Sequence, residues 1–321
     1  MTYGGAGNGH LSKNERREAA REKATTIRVQ QKKKERVRRF ALQGGLIVVT
    51  LAIIAVVAVV VTNSAKPAGP GPLNMLSDGI KITTGMKAVS TPALAADAKP
   101  VANAVDPESG VIDIQLYVDY FCPFCQTFEQ TNNDQIASWI DRGAATVEFH
   151  PIAILDANSQ GTQYSTRATN AAACVANYSP NSYWDVNKAL FAKQPKERTQ
   201  GLTDDQLVDI VKSAGVTKES SIASCIHDRS FEDWVKSSRL RALDGPIPNA
   251  KIDDAAKNKV VGTPMVLVNG LVYGGALDDA DAFSQFVIQA AGASFSESST
   301  STPTPTPTAT ATPTPTKTTK P

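Results

Sequence analysis

The clearest pattern of apolar positions lies in the middle of the chain. Residues 111–118 read VIDIQLYV, a β-branched and apolar run that is typical of a buried strand. A helical pattern follows, in which Phe124, Phe128, Ile136 and Ile140 are spaced by multiples of four. This spacing predicts an amphipathic helix with one buried stripe.

A second run of strand type, ATVEFHPIAI at 145–154, comes shortly after this helix, which we expect to end with Gly143 as its C-cap. Strand, helix and strand of these lengths predict a βαβ unit with parallel strands and a right-handed crossover. Upstream, residues 78–83 predict a short edge strand. Residues 84–110 are rich in Ala, Pro and Asp and predict a loop.

About a hundred residues of mostly helical pattern separate this unit from the next strand. We predict five helices there, at 166–178, 182–192, 203–214, 218–228 and 231–242. Thr203 is a clear N-cap residue for the third of them. We interpret the stretch as a helical lid inserted into an α/β unit.

The sheet resumes with VVGTPMVLV at 260–268, and residues 271–273 pair with it across an Asn-Gly turn. A last amphipathic helix is predicted at 279–291. From Ser294 the chain is mostly Thr, Pro and Ser, so we expect 293–321 to be disordered or extended. O-glycosylation or passage through a wall layer, and an inert solubilising role, both stay open for this tail.

An apolar run of a different kind lies near the N-terminus. Residues 44–62, GGLIVVTLAIIAVVAVVVT, carry no charge and have about the length that crosses a bilayer core as a helix. We therefore predict a transmembrane signal anchor at 40–62. A cleaved signal peptide is less favoured, because the apolar run and the basic region before it are both too long. Residues 63–78 contain KPAGPGPL and predict a stiff linker.

Charge is distributed unevenly along the chain. Residues 11–39 hold 12 of the 33 basic and 4 of the 31 acidic residues, which leaves 21 basic and 27 acidic residues elsewhere. The positive-inside rule then makes 1–39 a basic cytoplasmic segment, in contact with anionic lipid, and places the body outside. A basic head explained in this way gives no reason to expect nucleic acid as a partner.

The sequence Cys-Pro-Phe-Cys directly follows the central strand. Pro123 suits the first turn of a helix, because its missing N–H would have no partner there. Cys122 is therefore predicted at the strand-to-helix corner, where free backbone N–H groups favour the thiolate. Cys125 lies one turn further in, near enough to close a disulfide ring and too deep for easy attack. The pair predicts a redox switch.

The other two cysteines, Cys174 and Cys225, lie in the predicted helical insertion without CxxC spacing. A zinc site at the first pair would need a second pair, so we predict no metal and no cofactor. In an oxidising compartment these two cysteines favour a structural disulfide over two free thiols.

These features together resemble the thioredoxin superfamily: a CPxC pair at a strand-to-helix turn, then Gly-Thr-Pro and a strand–Asn-Gly–strand hairpin. The helical insertion at about 156–259 narrows the resemblance to the DsbA-like thiol:disulfide oxidoreductases. The phrases YVDYFCPFC, AAACVAN, YWDVNKALF and VVGTPMVLVNG resemble membrane-anchored DsbA-like proteins of Gram-positive, especially actinobacterial, cell envelopes. The resemblance implies an α/β thioredoxin fold with an inserted helical domain over 79–292, preceded by one transmembrane helix.

The resemblance also implies roles for individual residues. Cys122 is expected to be the exposed nucleophile that forms a mixed disulfide with a client, and Cys125 the thiol that closes or resolves the ring. Pro264 matches a proline preceded by a cis bond, which brings the Thr263 backbone alongside the disulfide for pairing with a client. The implied partners are exported proteins with free cysteines and a quinone-linked membrane protein that reoxidises the pair.

Three residues are expected to tune the redox pair: Pro123, Phe124 and Asp119. Phe124 stands where the best-known oxidases often have histidine, and it supplies no polar side chain to hold the thiolate. Asp119 either affects thiol protonation or has a structural role at the strand end. An extracytoplasmic location favours oxidation of clients. A reductase or isomerase of the same fold, and a redox-inert envelope binding protein, are the alternatives.

Overall fold

The structure, a computed structural model, describes residues 69–106 and 109–300, with side chains up to residue 293 in the last helix. The predicted cytoplasmic segment, the anchor at 40–62 and the tail beyond residue 300 lie outside the described residues. Of the helices within these ranges, none is both long enough and apolar enough to cross a bilayer.

Six strands in the described part of the chain form one mixed sheet. They are β1 (Ile80–Thr83), β2 (Lys87–Ala88), β3 (Ile112–Val118), β4 (Ala145–Pro151), β5 (Met265–Val268) and β6 (Leu271–Val272). Their order is β2-β1-β4-β3-β5-β6. β3 and β4 are parallel over seven residue pairs, and the other neighbours are antiparallel. The predicted parallel pair thus forms the centre of the sheet.

The segment predicted as an edge strand is an inner strand. β1 pairs with β4 on one side and with β2 on the other. The chain reverses through Gly85 and Met86, both with positive φ, and this turn brings β2 to the outer position. The sequence did not indicate β2, because two residues are too few to show a periodicity.

The described residues also contain seven α-helices: α1 (Pro123–Asp141), α2 (Tyr164–Tyr178), α3 (Tyr183–Ala192), α4 (Asp204–Ser213), α5 (Glu219–His227), α6 (Glu232–Asp244) and α7 (Ala280–Thr300). α1 connects β3 to β4, which is the predicted βαβ unit. α2 to α6 lie between β4 and β5 in the chain and form the predicted helical insertion. Thr203 caps α4 through a capping box with Gln206. The last helix continues to Thr300, so the prediction that the chain is disordered or extended from residue 293 is wrong for residues 293–300.

Successive side chains of β3 enter two different hydrophobic clusters. Ile114, Leu116 and Val118 belong to the main core. Tyr117 belongs to a smaller cluster that also contains Leu267 of β5. Because β3 is packed on both faces and paired on both edges, its C-terminal end is a fixed starting point for the cysteine loop.

The inner face of α1 differs from the predicted stripe in its first turn. Phe128, Ile136 and Ile140 are buried as predicted, but Phe124 is 65% exposed. The prediction for Phe124 is therefore wrong. Phe124 lies in the first turn at the protein surface, and the buried face of the helix begins one residue later, with Cys125.

The hairpin between β5 and β6 has the turn that the sequence predicts. Asn269 and Gly270 both have positive φ, as a two-residue type I′ turn requires. A Cβ atom at Gly270 would clash with the carbonyl oxygen of Asn249, so only glycine fits there. β5 starts at Met265 rather than at residue 260, because Pro264 has no N–H to donate to a ladder.

A disulfide fastens the helical insertion internally. Cys174 of α2 is bonded to Cys225 of α5, the pairing that the sequence favours, across 51 residues. In the chain-entropy model a loop of this length contributes about 4 kcal/mol to the free energy of unfolding. Both residues are buried, so the bond lies inside the helical layer.

Candidate redox-active site

Cys122 is located at the corner between β3 and α1. It is the N-cap residue of α1, with an extended backbone (φ −83°, ψ 115°), and Pro123 follows as the first helical residue. Its N–H donates to the Asp119 carbonyl oxygen at 3.0 Å, and its own carbonyl accepts the Gln126 N–H at 3.2 Å. The sequence thus predicts the position of this thiol correctly at the level of the backbone.

The solvent exposure of Cys122 differs from the prediction. Only 4% of its surface is exposed, and its sulfur lies 3.1 Å from the Thr263 carbonyl oxygen. The expectation of an exposed nucleophile is therefore wrong for this structure, because the loop before Pro264 approaches the sulfur. Cys125 is completely buried. Of the two thiols, only Cys122 offers any surface to a client.

The loop that approaches Cys122 contains a cis peptide bond between Thr263 and Pro264. This loop follows the helical insertion in the chain, 141 residues after Cys122. The structure therefore brings together the four residues that the resemblance places in the reaction: Cys122, Cys125, Thr263 and Pro264.

The surroundings of Cys122 favour its thiolate. The main cause is the Cys125 thiol, which donates a hydrogen bond to the Cys122 sulfur; burial opposes it. The Thr263 hydroxyl and the backbone N–H groups of Cys125 and Phe124 add further donors. The contact with the Thr263 carbonyl works the other way, because it needs a protonated thiol as donor. The net result lowers the pKa of Cys122 from 9.0 to about 6.

Cys125 responds in the opposite direction. Burial raises its pKa well above the ordinary value, and its hydrogen bond to Cys122 raises it further. Both thiols are free in this structure. At neutral pH the reduced pair therefore consists of one thiolate at the helix start and one protonated thiol beneath it. Such a pair can exchange disulfides, because the thiolate is the nucleophile and the buried thiol holds the proton.

Asp119 is completely buried at the end of β3. Its carboxylate accepts hydrogen bonds from the backbone N–H of Phe121 at 2.8 Å, Ile154 at 2.8 Å and Leu155 at 3.0 Å. Burial raises its pKa to about 6, although these donors oppose the shift. The carboxylate joins the end of β3 to the segment after β4, which favours the structural alternative for this residue.

Phe124 and Pro123 act on Cys122 through the backbone. Pro123 begins α1, and the Phe124 N–H is one of the donors to the Cys122 sulfur. The exposed Phe124 ring has an apolar counterpart in Val261, which is 81% exposed and stands two residues before Thr263. Each of the two chain segments that form the site thus carries one exposed apolar side chain.

Sequence reasoning missed two residues of this region. Gln194, just after α3, donates from its side-chain nitrogen to the carbonyl oxygens of Tyr120 and Cys122, both at 3.0 Å. No motif marks a glutamine so far downstream. Glu129 lies buried in α1, and burial raises its pKa to about 7. Its position four residues after Cys125, on the inner face, was the signal that could have identified it.

No group of three or more His, Cys, Asp or Glu side chains that could hold a metal occurs in the described ranges 69–106 and 109–300. His150 is buried, stacks on Tyr117 at 4.4 Å and lies 3.3 Å from a Glu148 carboxylate oxygen. His227 lies at the surface, 3.5 Å from an Asp205 carboxylate oxygen. Both histidines are accounted for by these contacts.

The chain is similar to a known protein family and to several known proteins. The family model described as Thioredoxin matches residues 106–287. Disulfide bond formation protein D of Bacillus subtilis is 24% identical over 175 residues, which cover 54% of this chain and 69% of that protein. The reduced form of the disulfide bond oxidoreductase DsbG from Mycobacterium tuberculosis is 26% identical, with a TM-score of 0.48, over 70% of this chain and 93% of that chain.

A further similarity is to a protein of a different kind. The serine/threonine-protein kinase PknE of Mycobacterium tuberculosis is 31% identical over 117 residues, which cover 35% of this chain. These residues span only 20% of the kinase, so the similarity concerns one part of that protein.

Proposed function

The chain belongs to the thioredoxin family, as the sequence predicts, and from this premise we propose that it is a DsbA-like thiol:disulfide oxidoreductase that forms disulfides in exported proteins. The reaction runs through Cys122 and Cys125. The observation that supports this most is the inequality of the two thiols: the environment favours a thiolate at Cys122 and a protonated thiol at Cys125. An enzyme that gives away its disulfide gains from a stable reduced form, and a stabilised Cys122 thiolate provides one.

The exchange proceeds in two steps. A client thiolate attacks the Cys122 sulfur of the oxidised pair, the Cys122–Cys125 bond breaks, and its electron pair leaves on Cys125, which takes up a proton because its pKa is raised. The second client thiolate then attacks the client sulfur of the mixed disulfide. Cys122 leaves as a thiolate, which is stable at neutral pH because its pKa is about 6. The client dithiol is oxidised by two electrons and the enzyme pair is reduced.

Client binding uses the backbone next to Cys122. The Thr263 segment, held beside the sulfur before the cis Thr263–Pro264 bond, is where an extended client segment pairs as an added strand. Phe124 and Val261, both largely exposed, provide apolar contact for an unfolded or partly folded client. This arrangement suits clients that expose cysteines together with apolar residues.

The proposed location is the outer face of the cell membrane. The uncharged run at 44–62 acts as a single-pass anchor in the lipid bilayer, with the basic segment 1–39 in the cytoplasm. The catalytic domain then lies in the cell envelope, where disulfides persist. A quinone-linked membrane partner reoxidises Cys122 and Cys125 after each turnover.

Trapping with a Cys125→Ser variant tests the proposal. Without the resolving thiol, mixed disulfides on Cys122 accumulate, and non-reducing electrophoresis reveals them as client adducts that reductant releases. The purified wild-type chain should also reoxidise reduced RNase, and Cys122→Ser should not. Absence of adducts together with no oxidation of RNase would reject the proposal in favour of a redox-inert binding protein.

A reductase or isomerase with the same site is the second candidate function. It is favoured by Phe124, whose side chain gives the thiolate no polar partner. The reduction potential of the cysteine pair separates the two functions, because a potential close to that of thioredoxin favours reduction of clients.

A further inference from the structure

We propose that Gln194 is a positioning residue for the redox reaction: its side-chain amide connects the helical insertion to the cysteine loop and keeps the backbone donors of α1 directed at the Cys122 sulfur. This inference rests on the proposed function, since it concerns the same site. It assigns a role in tuning the thiolate to a residue that lies 72 positions downstream of Cys122.

The contact itself uses the full donor capacity of the side chain. The Gln194 Nε2 atom carries two hydrogens and donates to two carbonyl oxygens, those of Tyr120 and Cys122, each at 3.0 Å. These carbonyls flank Phe121, so a single amide group bridges the turn from β3 into α1. A side chain that only filled space here would need neither hydrogen.

Gln194 is itself held in place from the insertion side. Its backbone N–H donates to the Phe191 carbonyl oxygen at 3.2 Å, and the Phe191 ring is buried against Tyr120 with ring centroids 5.0 Å apart. The same Phe191 carbonyl accepts a bond from the Gln126 side chain of α1 at 2.8 Å. The side chains of Gln126 and Gln194 thus connect α1 and the insertion in opposite directions, and of these two side chains only that of Gln194 donates to the Cys122 carbonyl.

The Cys122 carbonyl is the link between Gln194 and the sulfur. It also accepts the Gln126 N–H, the first hydrogen bond of α1, at 3.2 Å. The N–H groups of Phe124 and Cys125, which lie between Cys122 and Gln126 in the chain, are the ones that donate to the sulfur. Hydrogen bonds weaken steeply when they are misaligned. Fixing the carbonyls of Tyr120 and Cys122 therefore keeps those donors aimed at the thiolate.

The test compares Gln194→Met with Gln126→Met in the full chain in detergent micelles. Methionine has a similar length and no N–H donor. Gln194→Met therefore removes the hydrogen bonds to the Tyr120 and Cys122 carbonyls, and Gln126→Met removes the hydrogen bond to the Phe191 carbonyl. The midpoint of the Cys122 titration is measured from the ultraviolet absorbance of the thiolate. For Gln194→Met we expect this midpoint to rise by as much as about one pH unit. The equilibrium with glutathione should shift up to about tenfold toward the oxidised enzyme, which corresponds to about 30 mV.

Gln126→Met is the matched control. It loses the bond to the Phe191 carbonyl and should lower the melting temperature, but it should leave the Cys122 titration and the glutathione equilibrium unchanged. If Gln194→Met does not fold, Gln194→Asn replaces it, because the shorter amide cannot reach both carbonyls and should shift the titration in the same direction by less.

A Gln194 variant with a lower melting temperature but a wild-type titration and glutathione equilibrium would overturn the proposal, since the residue would then only stabilise the fold. Failure of the proposed function has a different signature. In that case the wild-type chain does not oxidise reduced RNase, while the difference in titration between Gln194→Met and wild type remains measurable.

Discussion

The two cysteine pairs of this chain have nearly the same burial and opposite chemistry. Cys122 is 4% exposed and Cys225 is 3% exposed, and the partner of each is completely buried. Cys122 precedes the first turn of α1, whereas Cys225 lies near the C-terminal end of α5. A helix N-terminus favours negative charge and a C-terminus disfavours it. The hydrogen bond from Cys125 and the position of Cys122 at the start of its helix, rather than burial, therefore distinguish the proposed redox pair from the structural pair.

The surroundings of the two pairs reinforce this difference. Cys122 receives hydrogen bonds from Cys125, Thr263 and the backbone, all of which lower its pKa. Cys174 and Cys225 are joined between two packed helices of the insertion. The environment of the first pair thus favours thiol–disulfide exchange, and that of the second favours a permanent disulfide.

The largest effect is expected from exchanging the reactive sulfur for oxygen. Cys122→Ser should reduce oxidation of client dithiols to the uncatalysed rate, because the Cys122 sulfur is the atom that the client thiolate attacks and that later leaves as a thiolate. Oxidation of reduced RNase measures this. Residual activity well above background would mean that another thiol takes part.

Removing the structural pair should affect stability and spare the chemistry. A Cys174→Ala/Cys225→Ala variant should lose about 4 kcal/mol of unfolding free energy in the chain-entropy model, as measured by denaturant titration. The ultraviolet titration of its Cys122 should keep the wild-type midpoint. A large change in that midpoint would contradict the separation of the two pairs.

The buried carboxyl of Glu129 should make the stability of the domain dependent on pH. Its folded-state pKa of about 7 exceeds the ordinary value of 4.5, so the folded state binds more protons and stability falls as pH rises from about 4.5 to about 7. Glu129→Gln should remove part of this slope and stabilise the protein at pH 7 by up to a few kcal/mol. Denaturant titrations at several pH values check this, and an unchanged slope would contradict it.

The reactive pair should have its own pH dependence. The pKa of Cys122 is about 6 in the folded protein and 9.0 as its ordinary value. The thiolate therefore stabilises the folded, reduced protein; this contribution is complete above about pH 9 and is lost as the pH falls through about 6. Alkylation of the reduced chain should therefore rise with pH around 6 and level off by about pH 7. A midpoint above pH 8 would show that the donors do not hold the thiolate.

The smallest effect is expected at the exposed residue between the cysteines. Phe124→His should lower the Cys122 pKa by less than about one unit, because a histidine at a position that is 65% exposed acts through solvent. Phe124→Leu is the matched control and should leave the pKa unchanged, since the Phe124 backbone N–H remains. A large fall of the Cys122 pKa in Phe124→Leu would show that the phenyl ring, and not the backbone, sets this pKa.

Local patterns predicted much of the fold and of the backbone of the site. The β-branched run before Cys122, the Thr203 cap and the Asn269-Gly270 turn each carry their own structural preference, and each forms the predicted element. The edge position assigned to β1 was wrong, because strand order depends on a two-residue partner, Lys87–Ala88, without a recognisable pattern.

Long-range contacts limit what the sequence could predict about the site. The nearly complete burial of Cys122 depends on Thr263, and the hold on its carbonyl depends on Gln194. Neither contact follows from a periodicity, since each joins residues that are far apart in the chain. Phe124 shows the converse: its spacing fitted the helical stripe, but the helix buries its inner face only from Cys125 onward.

The most direct test is the reduction potential of the Cys122–Cys125 pair in the full chain, measured by equilibration with glutathione while Cys174–Cys225 stays bonded. A disulfide-forming enzyme with a thiolate held at the start of α1 should have a potential nearer to the roughly −120 mV of DsbA than to the roughly −270 mV of thioredoxin. A value at or below about −270 mV would contradict the proposed direction of electron flow.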